Sequence, residues 1–199
     1  MSGLEPRRGA LLTELARASI AEALGGPRAP LPREPWAKQP AATFVTLHRD
    51  DGALQGCIGS LQPRRALADD VAQNAVAAAL RDPRAAPLSL DEVATLTVEV
   101  SLLSPLQPVP TASGAHDEAA VVAALRPGID GVVVRWHGMQ GTLLPQVWTT
   151  VPDRADFLAH VKAKAQLPAD FWAPDVEVLR YTLEKWSEPG APRAPQERR

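Results

Sequence analysis

The chain has one cysteine, Cys57, and it stands between two glycines in the segment Leu54–Leu61. A thiolate is both a nucleophile and a metal ligand, so this side chain is the first candidate for covalent chemistry or ligand binding. Glycine at positions 56 and 59 removes the side-chain wall beside the sulfur, as chains do where the backbone bends or where another group approaches closely. On residue type alone, a lone cysteine between aliphatic neighbours is more often a small buried hydrophobe. Both interpretations of Cys57 stay open at this point.

The composition is that of an ordinary globular protein. Its 199 residues are 45% hydrophobic and 22% charged, and the net charge is −2 at pH 7. This length is enough for one domain with a full core or for two small lobes. The charges form no long run of one sign, so neither nucleic acid nor a membrane is expected as a partner.

The numbers and positions of cysteine, histidine and apolar residues limit which cofactors and which cellular compartment are expected. A single cysteine cannot form an internal disulfide, nor can it build a thiolate zinc or iron–sulfur site by itself. The histidines lie in separate predicted elements without paired ligand spacing, so we expect no metal and no cofactor. The N-terminal helix carries Glu14 and Arg17 among its apolar residues, unlike a secretory signal, and no apolar run is long enough to cross a bilayer. We expect a cytoplasmic protein.

Apolar periodicity predicts an α+β fold. Helices are predicted over 8–24, from Leu67 to Asp82, over 117–125 and from Phe157 to Ala165. Strands are predicted over 43–48, 53–60, 96–101, 132–136, 142–148 and 176–183. Because several connections are short hairpins, we expect a mixed or mostly antiparallel sheet with flanking helices. The proline-rich segment 27–40 is expected to be an ordered connector anchored by Trp36, and the tail 187–199 to be disordered.

The turn Asp50–Gly52 joins the first two predicted strands into a hairpin, so that Cys57 lies on its second arm. A hairpin symmetric about this turn would place His48 opposite Gln55 or Gly56, near Cys57 but on an undetermined face. This imidazole, or the N-terminus of the helix that follows, is then the available activator of the thiol.

Three segments resemble the AMMECR domain family in the same order and with similar intervals. They are LQGCIGSLQP at 54–63, LTVEVSLLSPLQP at 96–108, and GTLLPQVW at 141–148 followed by KAQLPADFW at 164–172. The resemblance covers about residues 8–186. It implies one domain over 1–186, in two lobes with a cleft, followed by the tail 187–199. It also implies an association with Memo-like and radical-SAM proteins, the AmmeMemoRadiSam grouping, but no settled reaction.

The family signature Leu-Arg-Gly-Cys-Ile-Gly carries over onto the segment 54–59, except that Gln55 replaces its arginine. The family usually has a second arginine just before the glycine of its Gly-Thr-Phe-Leu-Pro-Gln-Val-Trp segment, and here that position is Gln140. If relatives bind an anion through these arginines, this chain has exchanged both guanidinium groups for neutral amides. The single cysteine also cannot hold a radical-SAM cluster, so the resemblance implies the companion component.

These observations predict a ligand-binding cleft around Cys57, the candidate nucleophile. The expected cleft lining comprises Gln55, Gly56, Ile58, Gly59, Ser60, Gln140, Gly141 and Gln146. His48, Asn74 and Glu99 are expected to support it from behind. Gln146 would either donate its amide to a ligand or an oxyanion, or lie buried and satisfy backbone groups left free by Pro145.

Three functions stay open. The first is a non-redox component that holds a small molecule or a partner segment in this cleft, beside Memo-like and radical-SAM partners. The second is an enzyme in which Cys57 attacks an acyl or similar carbon, for transfer or hydrolysis. The third is a structural adaptor.

Overall fold

The chain divides into two compact units in the computed structural model, which describes residues 4–111 and 117–188. Unit 1 comprises 4–103 together with 184–188, and unit 2 comprises the described residues of 104–183. Each unit has its own sheet and its own hydrophobic cluster. Helices combined with antiparallel strand pairs confirm the predicted α+β fold. The predicted tail lies, from residue 189 onward, outside the described residues.

The elements follow one another along the chain in the predicted order. The helices are α1 (Leu4–Ala23), α2 (Leu67–Leu80), α3 (Glu118–Ala124) and α4 (Arg154–Lys164). The strands are β1 (Pro40–Ala41), β2 (Thr43–His48), β3 (Leu54–Gly59), β4 (Arg65–Ala66), β5 (Thr97–Leu103), β6 (Gln107–Pro108), β7 (Gly131–Trp136), β8 (Met139–Leu143), β9 (Glu177–Tyr181) and β10 (Leu183–Ser187). Short 3₁₀ helices cover Pro35–Lys38, Asp91–Thr95 and Pro145–Thr149.

Unit 1 is a four-stranded sheet in the order β10-β5-β2-β3, with α1 and α2 in its core cluster. The predicted hairpin is confirmed, since β2 pairs antiparallel with β3 and, on its other side, with β5. Val45 and Leu47 point from β2 into the core, while the alternate residues of this strand are half-buried. This period-two burial places the helices on one face of the sheet and leaves the Cys57 side chain on the other.

The β5 strand is more buried than the predicted half-buried strand. Besides the apolar Val98 and Val100, the polar Glu99 and Ser101 on its alternate face are also buried. The strand lies between β2 and β10, and Glu99 accepts a hydrogen bond from Ser187 Oγ at 3.1 Å and pairs with Lys185 at 2.7 Å. The polar residue Glu99 of this strand is therefore a hydrogen-bond and ion-pair partner for the neighbouring strand β10.

Unit 2 is a sheet in the order β6-β9-β7-β8, and its core cluster includes Phe157, Leu158 and Val161 of α4. The predicted strand over 142–148 is wrong beyond Leu143, because Pro145 opens a 3₁₀ helix there. Proline has no N–H for a strand ladder, whereas its fixed φ suits the first position of a helix. This turn buries Trp148, whose indole stacks on Phe157 with ring centroids 3.6 Å apart.

A fully buried carboxylate, Asp70 on α2, fastens the start of β2 to the helix. It accepts hydrogen bonds from the Thr43 backbone N–H at 2.9 Å and the Thr43 hydroxyl at 2.7 Å. Ser60 Oγ and the guanidinium of Arg65 also donate to it, at 2.7 Å and 2.8 Å. Asn74, one turn further along α2, donates to the same carboxylate and to the Thr43 carbonyl. The lone pairs of a buried charge are thereby satisfied, as its burial requires.

We expect Asp70→Asn to lower the free energy of unfolding by about 3 kcal/mol, because an amide would turn an N–H₂ group toward existing donors and leave Arg65 without its partner. Urea denaturation followed by circular dichroism measures the change. Asp69→Asn is the matched control, since Asp69 is the exposed neighbour in the same helical turn, and it should cost less than about 1 kcal/mol. Equal effects of the two substitutions would contradict the role given to Asp70.

Candidate functional site around Cys57

Cys57 lies in the middle of β3, directly opposite Thr46 of β2. Residues that face each other in an antiparallel pair point to the same side of the sheet. Thr46 points away from the helices, so Cys57 does too, and its side chain is half-buried. The Thr46 hydroxyl lies 3.3 Å from the Cys57 sulfur and donates a hydrogen bond to it. Cys57 is therefore not a member of the hydrophobic core.

The same side of the sheet carries Glu99, because Thr46 pairs with it across β2 and β5. Cys57, Thr46 and Glu99 thus form one row across three strands. Glu99 was expected to support the cysteine site. The register places it on the same face as Cys57 but two strands away, beyond Thr46.

The two glycines beside Cys57 serve close packing inside the protein. A Cβ on Gly56 would lie 2.1 Å from the Ala78 carbonyl oxygen of α2, and one on Gly59 would lie 2.3 Å from the Phe44 ring. Both distances are far below van der Waals contact, so neither position accepts a side chain without a shift of its neighbour. The expectation that these glycines leave room for a ligand beside the sulfur is therefore wrong.

Two charged residues that follow α2 hold the main chain of Cys57. Asp82 Oδ2 accepts a hydrogen bond from the Cys57 N–H at 2.8 Å, and Arg84 Nη2 donates to the Cys57 carbonyl at 3.1 Å. Arg84 also donates to both oxygens of Asp82, from Nε at 2.9 Å and from Nη2 at 2.6 Å. This bidentate pair fixes one guanidinium at the backbone of the cysteine.

Electrostatics in this cluster favour the ionised forms of both residues. The hydrogen bonds from Arg84 hold the pKa of Asp82 well below its usual range, although burial acts in the opposite direction. The same hydrogen bonds raise the pKa of Arg84, and the nearby Cys57 side chain acts in the same direction. The Arg84 side chain is 57% exposed, and its Nη1 makes no hydrogen bond to any residue in 4–111 or 117–188. That nitrogen is available to a ligand.

Sequence reasoning missed Asp82 and Arg84. Asp82-Pro83 carried a signal only for the end of a helix, because proline disfavours helical geometry in the preceding residue. Cys57 and Asp82 are 25 positions apart in the sequence, and no pattern in the intervening segment pairs them. The available hint was the Asp82-Pro83-Arg84 triplet at the predicted end of the helix.

Gln55 does not line an open cleft, contrary to expectation, since it is only 1% exposed. Its Nε2 donates to the Ala86 carbonyl at 2.8 Å, while its Oε1 has no partner among the described residues. The register explains the placement: Leu47 faces Gly56 and His48 faces Leu54, so Gln55 is the extra residue of a β-bulge. The bulge turns this side chain into unit 1 and ties β3 to the loop after α2.

The same bulge corrects the predicted position of His48, which faces Leu54 and not Gln55 or Gly56. His48 is half-buried, and its Nδ1 has no partner within the described residues. The sulfur of Cys57 has its hydrogen bond with Thr46 and none with His48. The imidazole is thus not paired with the thiol, and the adjacent cation is Arg84.

Three further predicted residues stabilise unit 1. Ser60 and Asn74 belong to the cluster around Asp70, which lies at the first turns of α2. Ile58 packs against the hydrophobic core, on the helix side of the sheet and opposite Val45. The alternation along β3 therefore separates Ile58 from Cys57 by face.

The remaining predicted residues, Gln140, Gly141 and Gln146, belong to unit 2. Gln140 is exposed and accepts a hydrogen bond from Arg135 Nε at 2.7 Å. Gly141 allows α4 to pack on β8, because a Cβ there would lie 2.4 Å from the Ala165 nitrogen. Gln146 is exposed in a 3₁₀ helix, so the alternative of a buried glutamine in a strand is wrong.

The described part of the chain contains neither a cluster of potential metal ligands nor a helix suited to span a membrane. Among the described residues, no three His, Cys, Asp or Glu side chains group as metal ligands would. No helix within 4–111 or 117–188 combines the length and the apolar character that a membrane span requires.

The architecture and the cysteine hairpin define an α+β protein of two compact units, and comparisons with known proteins identify its family. The AMMECR1 family model matches residues 13–186. A Thermotoga maritima protein is 39% identical over 150 residues, which is 75% of this chain and 79% of the relative. A Methanothermobacter thermautotrophicus protein is 36% identical over 187 residues, 92% and 95% of the two chains. The crystal structure of an uncharacterized protein from Pyrococcus horikoshii matches with a TM-score of 0.81 and 34% identity, over 96% of this chain and 95% of that one.

The chain belongs to the AMMECR1 family, which confirms the resemblance found in its motifs.

We expect Asp82→Asn to lower the free energy of unfolding by about 2 kcal/mol near neutral pH, because a buried acceptor of charge-assisted hydrogen bonds loses its charge. The folded pKa of Asp82 lies below the ordinary carboxyl value of about 3.9, so its stabilisation is fully present above that value and is lost as the pH falls toward the folded pKa. The difference between the two proteins should therefore be smaller near pH 3 than near pH 7.

Urea unfolding at both pH values measures this difference. Asp91→Asn, which changes an exposed carboxylate of unit 1, should differ from the parent by less than about 0.5 kcal/mol at both. A pH-independent effect of Asp82→Asn would contradict the electrostatic role of the pair.

Proposed function

We propose that this protein is a non-redox binding component that holds a small molecule or a partner segment at the Cys57 site of unit 1. The Cys57 site is defined here as Cys57, Thr46 and Arg84. One observation carries the proposal: the half-buried thiol belongs to the residue whose carbonyl binds the Arg84 guanidinium, and Nη1 of that guanidinium has no hydrogen bond within the described residues. The other two guanidinium nitrogens are held by Asp82, so the free one is fixed in place before any ligand arrives.

The chemistry of the site favours a ligand with an anionic or strongly polarised oxygen. Arg84 Nη1 can donate to a carboxylate or acyl oxygen, while the thiol gives a soft, polarisable contact. Gln55 stands where the family signature has arginine, and its amide is neutral and buried. Arg84 is thus the cation that this chain has at its signature cysteine.

The proposed partners are a Memo-like protein and a radical-SAM protein. Family membership supports this proposal, because the resemblance implied that grouping. One cysteine cannot bind an iron–sulfur cluster, so radical chemistry in such an assembly would belong to a partner. The proposed setting is the cytoplasm, where a single unpaired thiol stays reduced.

A second candidate function is a cysteine-nucleophile enzyme, and the guanidinium next to the sulfur favours it. The Cys57 sulfur, after loss of its proton to solvent, would attack the acyl carbon of a thioester donor. A new carbon–sulfur bond forms, and the leaving thiolate departs with the electron pair of the broken bond. Water or an acceptor then releases the acyl group from Cys57. Arg84 would stabilise negative charge at the sulfur and at the acyl oxygen.

We expect iodoacetamide to alkylate Cys57 in the native protein, because the side chain is partly exposed and lies beside a cation. Arg84→Gln should slow the reaction several-fold, and Arg84→Lys should restore part of the rate, since it keeps the charge. Arg81→Gln, which alters an exposed arginine three residues away, is the matched control and should react like the parent.

Alkylation is followed by intact-mass spectrometry well below the unfolding temperature of each variant. If Cys57 reacts with iodoacetamide only after denaturation, the proposal of a ligand-accessible Cys57 site is wrong. If Cys57 in Arg84→Gln is alkylated as fast as in the parent, the guanidinium does not activate the thiol.

Mass spectrometry after incubation with acetyl and longer-chain acyl thioesters separates the candidate functions. The enzyme predicts an added acyl mass that is absent in Cys57→Ala. The binding component predicts no adduct, together with co-purification of a Memo-like partner or reversible acyl-ligand binding that Cys57→Ala and Arg84→Gln both weaken. Co-purification that survives both substitutions, without any ligand, would replace these proposals with an adaptor.

A further inference from the structure

A concave surface on unit 1, which shares no residue with the Cys57 site, collects positive charge. It is a cavity of about 600 Å³ between the connector after α1 and the first turn of α2. Arg28, Arg33 and Lys38 lie in its lining together with one acidic residue, Asp69. We call this cavity the basic pocket. Its charged side chains carry a net charge of +2 in a protein whose own net charge is −2.

The three cations of the basic pocket are unpaired. Arg28, Arg33 and Lys38 have no ion pair and no side-chain hydrogen bond within the described residues. Elsewhere in unit 1, Arg17, Arg49, Arg65 and Arg84 each pair with a carboxylate. Asp69 offsets only one of these three positive charges, so the remaining like charges repel one another, and an anion between them would lower that repulsion.

The floor of the pocket is formed by the beginning of α2. Ala66, Ala68 and Asp69 from the beginning of α2 line it, and Ala66 has no side chain that can cap the helix. The Leu67 N–H is taken by the Gln39 carbonyl at 2.9 Å, while a helix supplies no acceptors of its own for the other first-turn N–H groups. The helix dipole adds positive potential at this end of α2, while Asp69 and Asp70 in the first turn oppose it.

The connector is ordered, so the cations are held near one another before binding. Five prolines between 27 and 40 restrict its backbone, and Trp36 packs against the core of unit 1. Arg8 lies over the Trp36 ring at 5.4 Å, and the Ala29 N–H donates to Glu22 Oε2 of α1 at 2.9 Å. Because the connector is already ordered, it loses little conformational entropy when a ligand binds.

The basic pocket also has an apolar wall. Leu31, which is 55% exposed, and Pro32 both line it, so a bare inorganic ion would leave that surface uncovered. A cavity of this size is in the range of about 300–1,000 Å³ that small-molecule sites occupy.

We propose that the basic pocket binds a phosphate monoester of a small molecule with an apolar group. The net charge of +2 matches the dianion, the guanidinium groups of Arg28 and Arg33 can donate to the phosphate oxygens, and Leu31 and Pro32 cover the apolar group.

Phenyl phosphate is the probe for this proposal, titrated into the full chain at low ionic strength, with calorimetry and the total tryptophan fluorescence, to which Trp36 contributes, as readouts. We expect saturable 1:1 binding that is at least about tenfold tighter than that of benzoate, a monoanion of the same apolar group. Inorganic phosphate should compete but bind more weakly, because it lacks the apolar part. Absence of saturable binding, or benzoate binding as tight as that of phenyl phosphate, would overturn the proposal.

Variants of the pocket complete the test. The double substitution Arg33→Gln with Lys38→Gln should weaken phenyl phosphate binding at least about tenfold, and Asp69→Asn should strengthen it, since it removes the opposing charge. Arg81→Gln should leave the affinity unchanged, and so should Cys57→Ala, which separates this site from the proposed function. Equal losses in Arg81→Gln and in the double variant would show non-specific ion binding and would overturn the proposal.

Discussion

The close approach of α2 to β3 is the constraint on which the cysteine region depends. At Gly56 the strand has no side chain, and the backbone of α2 comes so near that a Cβ would lie 2.1 Å from the Ala78 carbonyl oxygen. Because the helix lies this close, the chain that leaves it passes directly beside β3, where Asp82 and Arg84 reach the backbone of Cys57. A larger residue at position 56 would move the helix away and separate both charged groups from the cysteine.

Two buried aspartates, one near each end of α2, each accept a hydrogen bond from a backbone N–H of a strand. Asp70 accepts a hydrogen bond from the Thr43 N–H at the start of β2, and Asp82 accepts one from the Cys57 N–H in the middle of β3. Each is also paired with an arginine, Arg65 or Arg84, that is itself partly exposed. A buried carboxylate is tolerated only when its lone pairs and its charge are both satisfied, and this arrangement does so while the cation keeps contact with water.

Unit 1 therefore presents two chemically different surfaces. At the Cys57 site the guanidinium is largely occupied by Asp82 and has one free nitrogen, so the thiol remains the distinctive group. In the basic pocket the cations have no carboxylate partner within the part of the chain that the structure describes, and they line a cavity with an apolar wall. The first surface suits a ligand that exploits sulfur chemistry, and the second suits a ligand that brings its own negative charge.

Local patterns in the sequence determined the order of helices and strands, the β2–β3 hairpin and the family. These features depend on side-chain periodicity, turn residues and short motifs, which act within a few residues of one another. The strand predicted through Gln146 failed, because the backbone requirements of Pro145 outweighed the apolar pattern around it.

Only the tertiary structure decided which groups surround the sulfur. A one-residue bulge buried Gln55 and moved His48 out of register, while close helix packing brought Arg84 from 27 residues away. Such outcomes depend on how elements pack across long sequence separations, and a register shift of one residue changes the face of every following side chain. The sequence alone identified Cys57 as the candidate reactive group, whereas the packing of α2 on β3 determined which residues surround it.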